Sequence, residues 1–179
     1  MKHILEETVN LLTRTPEVLN ALLRGLPESW TQSNEGEGTW SPFEVVAHLI
    51  HAEHDNWIPR ARTIVDHGES WPFAPFGREG DFEQSRRRTL AELLDEFAQA
   101  RAESLRQLAA MELLPPDLEK KGNHPALGSV TQSELLATWA AHDLTHLHQI
   151  SRVMAVQYRD AVGPWAKYLG VMQCIGHSA

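Results

Sequence analysis

Three histidines fall within nine residues in HDLTHLHQI, positions 142 to 150, a stretch whose apolar periodicity is helical. Imidazole holds borderline divalent metals and moves protons near neutral pH, so it matters which of these rings face inward. At 100° per residue, Leu135, Trp139, His142, His146, Ile150, Val153 and Met154 share a sector under roughly 90° wide, and His148 projects well outside it. His142 and His146 thus sit one turn apart in the apolar stripe, and His148 reads as a surface residue. With ten histidines in 179 residues, chance alone supplies roughly half of one i,i+4 pair, so the spacing is weak evidence by itself. Burial strengthens it. Two adjacent imidazoles in an apolar stripe must satisfy their ring nitrogens away from water. A shared metal satisfies one nitrogen of each ring, and carboxylates or backbone carbonyls can hold the other.

A third ring is available in AHLIHAEHD, from Ala47 to Asp55. His48 lies within a turn of Val45 and Ala52 and can reach the interior, whereas His51 and His54 are rotated away. Glu44, His51 and Asp55 flank His48 and offer it support or a fourth ligand. A lone histidine here is more often structural; opposite an inward pair it becomes a candidate ligand. His48, His142 and His146 would supply three nitrogens and no thiolate, a set suited to a divalent Zn, Ni or Fe ion with positions left open for water or substrate. Glu53, Asp55 and Asp143 are the carboxylates placed to orient a ligand or shuttle a proton. The tryptophans at 30, 40, 57, 71, 139 and 165 read as core and interface anchors. Cys174, with no inward His or Lys near it in sequence, reads as an inert thiol.

Helices must position these residues, because helical periodicity runs through the chain and no stretch alternates convincingly as a strand. The first helical region covers residues 3 to 24 and is interrupted at Pro16, with Thr15 read as a fresh N-cap. Ser41-Pro42-Phe43-Glu44 opens a second helix over 42 to 66, expected to bend at Pro59. A third spans 82 to 111, with Leu90, Leu93, Leu94, Phe97, Leu105 and Leu108 facing inward. Thr131-Gln132-Ser133-Glu134 opens a fourth that runs to Tyr158, and Gly163-Pro164 sets off a short C-terminal segment. The pattern predicts an all-α, four-helix bundle over a single domain, residues 1–179. The connection HGESWPFAPFGREGD, from His67 to Asp81, is longer than a hairpin needs. It could reach roughly 50 Å against roughly 36 Å for a 24-residue helix, enough to cross the bundle and leave the second and third helices parallel. A folded lid would also use such a loop.

Composition narrows the function classes. A net charge of −8 argues against a broad nucleic-acid surface, since such binding rests on neutralising phosphates. SRRRTLAELLDEF, from Ser85, is read as a solvated face whose acids offset its arginines. One cysteine makes no internal disulfide and fits a reducing cytoplasm. MKHILEETVNLL carries acids where a signal peptide needs an apolar run, and no segment is suited to spanning a bilayer. The expected location is cytoplasmic. Exposed bundle faces often associate, so a homodimer stays open.

TWSPFEVVAHLIHAE, Thr39 to Glu53, resembles the second-helix signature of the DinB/YfiT-like superfamily, and ATWAAHDLTHLHQISRVMAVQYRDAVGPWAKYL, Ala137 to Leu169, resembles its fourth-helix signature and tail. GNHPALGSVTQSELL, from Gly122, is similar to the family's approach to that last helix. The resemblance implies an up-down-down-up four-helix bundle with a long crossover between the second and third helices. It also implies a divalent metal held by His48, His142 and His146, the residues the helical wheel selects. His51, His54 and His148 do not fall on the family's metal positions.

Members are described as metal-dependent hydrolases or as transferases and isomerases that use a low-molecular-weight thiol, so the leading expectation is a metal-dependent enzyme acting on a small-molecule substrate. The loop with Trp71, Phe73 and Phe76 would cover its pocket. The rival is a non-catalytic, stress-related binding bundle whose metal is structural or absent. A fourth protein ligand, for instance Asp55, would favour that rival.

Overall fold

The chain's computed structural model describes residues 4–77 and 82–174. The first arm of the bundle is α1 (Leu5–Leu12) followed by α2 (Thr15–Leu23). Pro16 sits in the first turn of α2, as expected, but Thr15 is no cap. It is buried, and its hydroxyl donates to Asp143 Oδ2 at 2.6 Å. After the single turn α3 (Glu28–Thr31), Ser41 and Glu44 form the predicted capping box and start α4 (Pro42–Asp55). The second arm breaks at Asn56 (φ −109°, ψ −65°) and resumes as α5 (Trp57–His67). Pro59 lacks the N–H for the Asp55 carbonyl and crowds it, so the helix yields one turn ahead of the proline.

The third arm starts later than the expected boundary at residue 82, at the first residue of its apolar stripe. Residues 82 to 89 hold only the turn α6 (Phe82–Ser85), and the long helix is α7 (Leu90–Ala110). Thr89 and Glu92 set that start with a capping box, Glu92 accepting the Thr89 N–H at 2.7 Å. The expectation of no strands is also corrected. β1 (Lys121–His124) and β2 (Gly128–Thr131) pair antiparallel, Lys121 opposite Thr131 and His124 opposite Gly128. Gly128 closes their turn at φ 74°, and His124 Nδ1 accepts the N–H groups of Ala126 and Leu127. Thr131 and Glu134 cap α8 (Gln132–Val156), and a 3-10 turn at Gly163–Tyr168 leads to α9 (Gly170–Gln173).

Two apolar clusters mark the two ends of the bundle. One joins Leu12, Ala61, Ile64, Leu108, Leu136 and Trp139. The other joins Leu19, Leu23, Phe43, Leu93, Phe97 and Ile150. The start of the first arm thus meets the ends of the second and third arms and the start of α8. The result is an up-down-down-up four-helix bundle in which the second and third arms run parallel. None of the described helices is long and apolar enough to cross a membrane.

Parallel neighbours need a connection the length of the bundle, and the hairpin braces it. Phe73 donates its N–H to the Asn123 carbonyl at 2.9 Å, and Pro72 bridges Asn123 in parallel. Gly122 makes that approach possible, because a Cβ there would lie 2.7 Å from Ile64 Cγ1 and from the Phe73 ring. Residues 78–81 of the expected connection lie outside the described residues.

A buried ion network joins all four arms. Arg101 of α7 donates to Glu53 Oε1 at 2.7 Å, to Asp143 Oδ2 at 2.6 Å and Oδ1 at 2.9 Å, and to the Leu12 carbonyl at 2.8 Å. Trp139 Nε1 donates to Glu53 at 3.0 Å. All three charged side chains are at most 2 % exposed. Burial alone would pull the guanidinium's pKa down, but the bonds to Asp143 and the charge of Glu53 outweigh it and raise it above its usual value. Glu53 and Asp143, read from sequence as able to orient a ligand or shuttle a proton, are partners of Arg101.

Replacing Arg101 with leucine should cost about 3–5 kcal/mol, because it strands two buried carboxylates. A urea titration showing a loss below ~1 kcal/mol would mean those carboxylates reach water. Gly122→Ala should lower stability by about 1–3 kcal/mol through overpacking against Phe73, read in the same titration.

Candidate metal centre

α4 and α8 pack against one another, and their facing sides bring His48, His142 and His146 together. His142 Nε2 lies 3.1 Å from both His48 Nε2 and His146 Nε2. One candidate ligand atom from each residue lies within 4.8 Å of the others, and among the described residues no further group of His, Cys, Asp and Glu converges in this way. His48 and His146 are buried and His142 is half-buried.

Neighbouring groups set the state of these rings. His146 Nδ1 lies 2.8 Å from Gln149 Oε1. With that amide oxygen accepting, Nδ1 carries the proton and Nε2 keeps its lone pair toward the cluster. Gln149 was not singled out in the sequence, although it lies one turn from His146 and beside Ile150 of the apolar stripe. His142 is pushed down from 6.5 to about 2, first by burial and then by the facing His146 and His48 rings and Arg101. Burial also lowers His146, opposed in part by Gln149 and by the charge of Asp143. His142 and His146 therefore stay neutral, the form in which imidazole binds a metal. Three converging nitrogens with no thiolate fit Zn, Ni or Fe(II).

The tryptophans divide. Trp139 is a core anchor stacked on Trp57 at 5.7 Å. Trp40 and Trp57 also wall the cluster: Trp40 stacks on His146, and Trp57 meets His142 edge-on at 5.1 Å. A cavity of about 430 Å³ opens onto the three rings and is lined also by Phe73, Phe76 and Arg60. Trp71, expected to help cover it, instead stands 61 % exposed beside His67. A larger hollow of about 830 Å³ between the second and third arms contains none of the three histidines and is edged by charged side chains such as Arg88 and Glu96.

The remaining sequence candidates lie apart. His51 pairs with Asp55 at 2.9 Å, accounting for the residue named as a fourth ligand. The same ring stacks on Phe76 at 4.6 Å and bonds the Gly77 carbonyl, so it helps hold the crossover. Glu44 accepts from Ser41 and from Arg86. His54 and His148 are exposed, as is Cys174, whose Sγ lies 3.2 Å from the Gly170 carbonyl.

The sequence model of the DinB superfamily matches residues 11–150, and the chain belongs to that superfamily. No curated protein matches the chain. Among solved structures, YfiT from Bacillus subtilis, described as a probable metal-dependent hydrolase with an unusual four-helix bundle topology, is similar with a TM-score of 0.72. It is 16 % identical over 88 % of this chain and 87 % of its own. TT2238, a four-helix bundle protein, is similar with a TM-score of 0.56 and 22 % identity over 85 % of this chain and 99 % of its own. At these identities the likeness is one of fold.

The His142 shift has a pH consequence for chelator-treated protein. Unfolded His142 takes a proton near pH 6.5, while the folded ring resists it down to about 2. Below pH 6.5 the unfolded state therefore binds the extra proton, and stability falls by about 1.4 kcal/mol per pH unit for each proton withheld. Thermal melts between about pH 5 and 8 should show this decline, shallower in His142→Gln. Equal slopes would place the proton uptake on other groups.

Proposed function

We propose that this DinB-superfamily chain is a metal-dependent enzyme acting on a small molecule, with His48, His142 and His146 holding a divalent cation. The observation that carries the reading is the convergence of the three Nε2 atoms. A ring nitrogen has one proton or one lone pair, so His142 Nε2 cannot bond well to two neighbours each 3.1 Å away. A cation shared by the three lone pairs removes that conflict. Three protein ligands also leave coordination positions free, whereas structural zinc sites are normally closed by four. Asp55, one of the residues the sequence offered to close this one, is held by His51 on an exposed face.

Such a cation polarises a carbonyl and makes water or a thiol nucleophilic near neutral pH. The chain's own residues do the rest. Gln149 holds the His146 ring in the tautomer that presents Nε2, and Trp40, Trp57, Phe73 and Phe76 give the cavity aromatic walls. Hydrolysis is the first reading of the reaction, supported by the description of YfiT. Transfer to a low-molecular-weight thiol is the second and would use the same open position.

Elemental analysis of protein purified without affinity metals tests the site. Near one equivalent of Zn, Ni or Fe is expected in the wild type and in His148→Ala. Most of it should be lost in His142→Ala and His146→Ala, with helix content by circular dichroism retained. Equal metal in all four proteins would sink the assignment. No metal in any of them after reconstitution would favour a non-catalytic binding bundle.

A further inference from the structure

We infer that Arg60 anchors the carboxylate of a small, largely apolar or aromatic substrate held in the cavity over His48, His142 and His146. This deepens the function proposed above and rests on it. Arg60 lies in α5, half-buried, and lines that cavity. Its guanidinium carbon lies 5.3 Å from the Phe73 ring centroid and 6.0 Å from that of Phe76. Phe76 in turn lies 6.0 Å from the His48 ring, so one aromatic wall separates the cation from the histidines.

Among the described residues the charge of Arg60 meets no carboxylate. Arg24, Arg86, Arg88, Arg101, Arg106 and Arg152 each pair with an Asp or Glu. Among the described residues no carboxylate pairs with Arg60, in a protein of net charge −8. Burial lowers its pKa. His124, also on the cavity wall, is lowered by burial and by the charge of Arg60, so it adds no second cation near neutral pH. Glu134 is exposed at the rim, and its Oε2 already accepts the Thr131 N–H and hydroxyl. A half-buried guanidinium offers a planar fork that matches a carboxylate, and an anion brought by the substrate would complete the pair.

The surroundings define the rest of the molecule. Trp40, Trp57, Phe73, Phe76 and Leu135 provide aromatic and apolar walls, and about 430 Å³ is the volume of a small-molecule site. The planar fork of one guanidinium takes a carboxylate through two parallel hydrogen bonds, and the apolar walls beside it suit a group of low charge. Asn56, one turn before Arg60, also lines the cavity, and among the described residues its buried Oδ1 has no hydrogen-bond partner. It can accept from a hydroxyl or amide N–H on the same substrate, which would fix the substrate's orientation.

Calorimetric titration with benzoate, phenylacetate and their matched primary amides tests this on wild-type, Arg60→Gln and Arg60→Lys proteins, each with and without metal. At least one acid should bind wild type about tenfold or more tightly than its amide. That preference should fall to near unity in Arg60→Gln and be partly kept in Arg60→Lys, with helix and metal content unchanged. Equal affinity of acid and amide for wild type, or no binding by either acid, overturns the inference. So does an acid preference that survives Arg60→Gln. If the surviving preference vanishes on stripping the metal, the carboxylate sits on the metal, and the proposed function stands without this anchor. An Arg60-dependent preference in a chain that takes up no metal would keep the anchor and remove the enzyme reading.

Discussion

Burying one guanidinium between two carboxylates at the centre of a helical bundle is costly unless every charge finds its partners. Arg101 meets most of that demand by reaching the other three arms at once, through the Leu12 carbonyl, Glu53 and Asp143, with its Nε and Glu53 Oε2 left without a bond among the described residues. A slip of one residue in any arm would break at least one of these bonds, so the network fixes register as apolar packing alone would not. The metal centre inherits that register. His142 adjoins Asp143 in sequence, and His48 lies five positions before Glu53. Charges that do no chemistry thus determine where the imidazoles that could do it come to rest.

Topology supplies the other half of the site. Because the second and third arms run parallel, the chain between them must travel the length of the bundle, and on the way it deposits Phe73 and Phe76 against the open side of the histidines. The hairpin before α8 braces that passage through Asn123 and the bare Cα of Gly122. An antiparallel hairpin between those arms would leave no such segment to build the wall. The length of the connection and the aromatic wall of the cavity share one cause.

Much of this was legible in the sequence. The capping boxes at Ser41 and Thr131 and the facing of His48, His142, His146 and His148 follow from local rules of spacing and hydrogen bonding, and the structure agrees with them. What was missed depended on partners distant in the chain. Thr15 resembles a cap until Asp143 claims its hydroxyl. Glu53 and Asp143 resemble groups that orient a ligand or carry a proton until Arg101 is beside them. Trp40 and Trp57 differ from the other tryptophans only by what they face. Two misses were local. Thr89 and Glu92 form as good a box as the others, but the helix was expected to start at Phe82, seven residues before the cap. The hairpin strands are four residues each, too short for alternation to stand out from chance.

The interruption at Asn56 divides the second arm into two rigid pieces with separate duties. α4 carries His48, and α5 carries Trp57 and Arg60. An unbroken helix would lock the spacing of these groups to multiples of its rise and turn. A joint frees it, so the angle between the two pieces can change while the meeting of α4 with α8 is preserved. Related chains could in this way accommodate molecules of different length by altering a hinge of one or two residues, with the chemistry at the far end of the cavity left untouched.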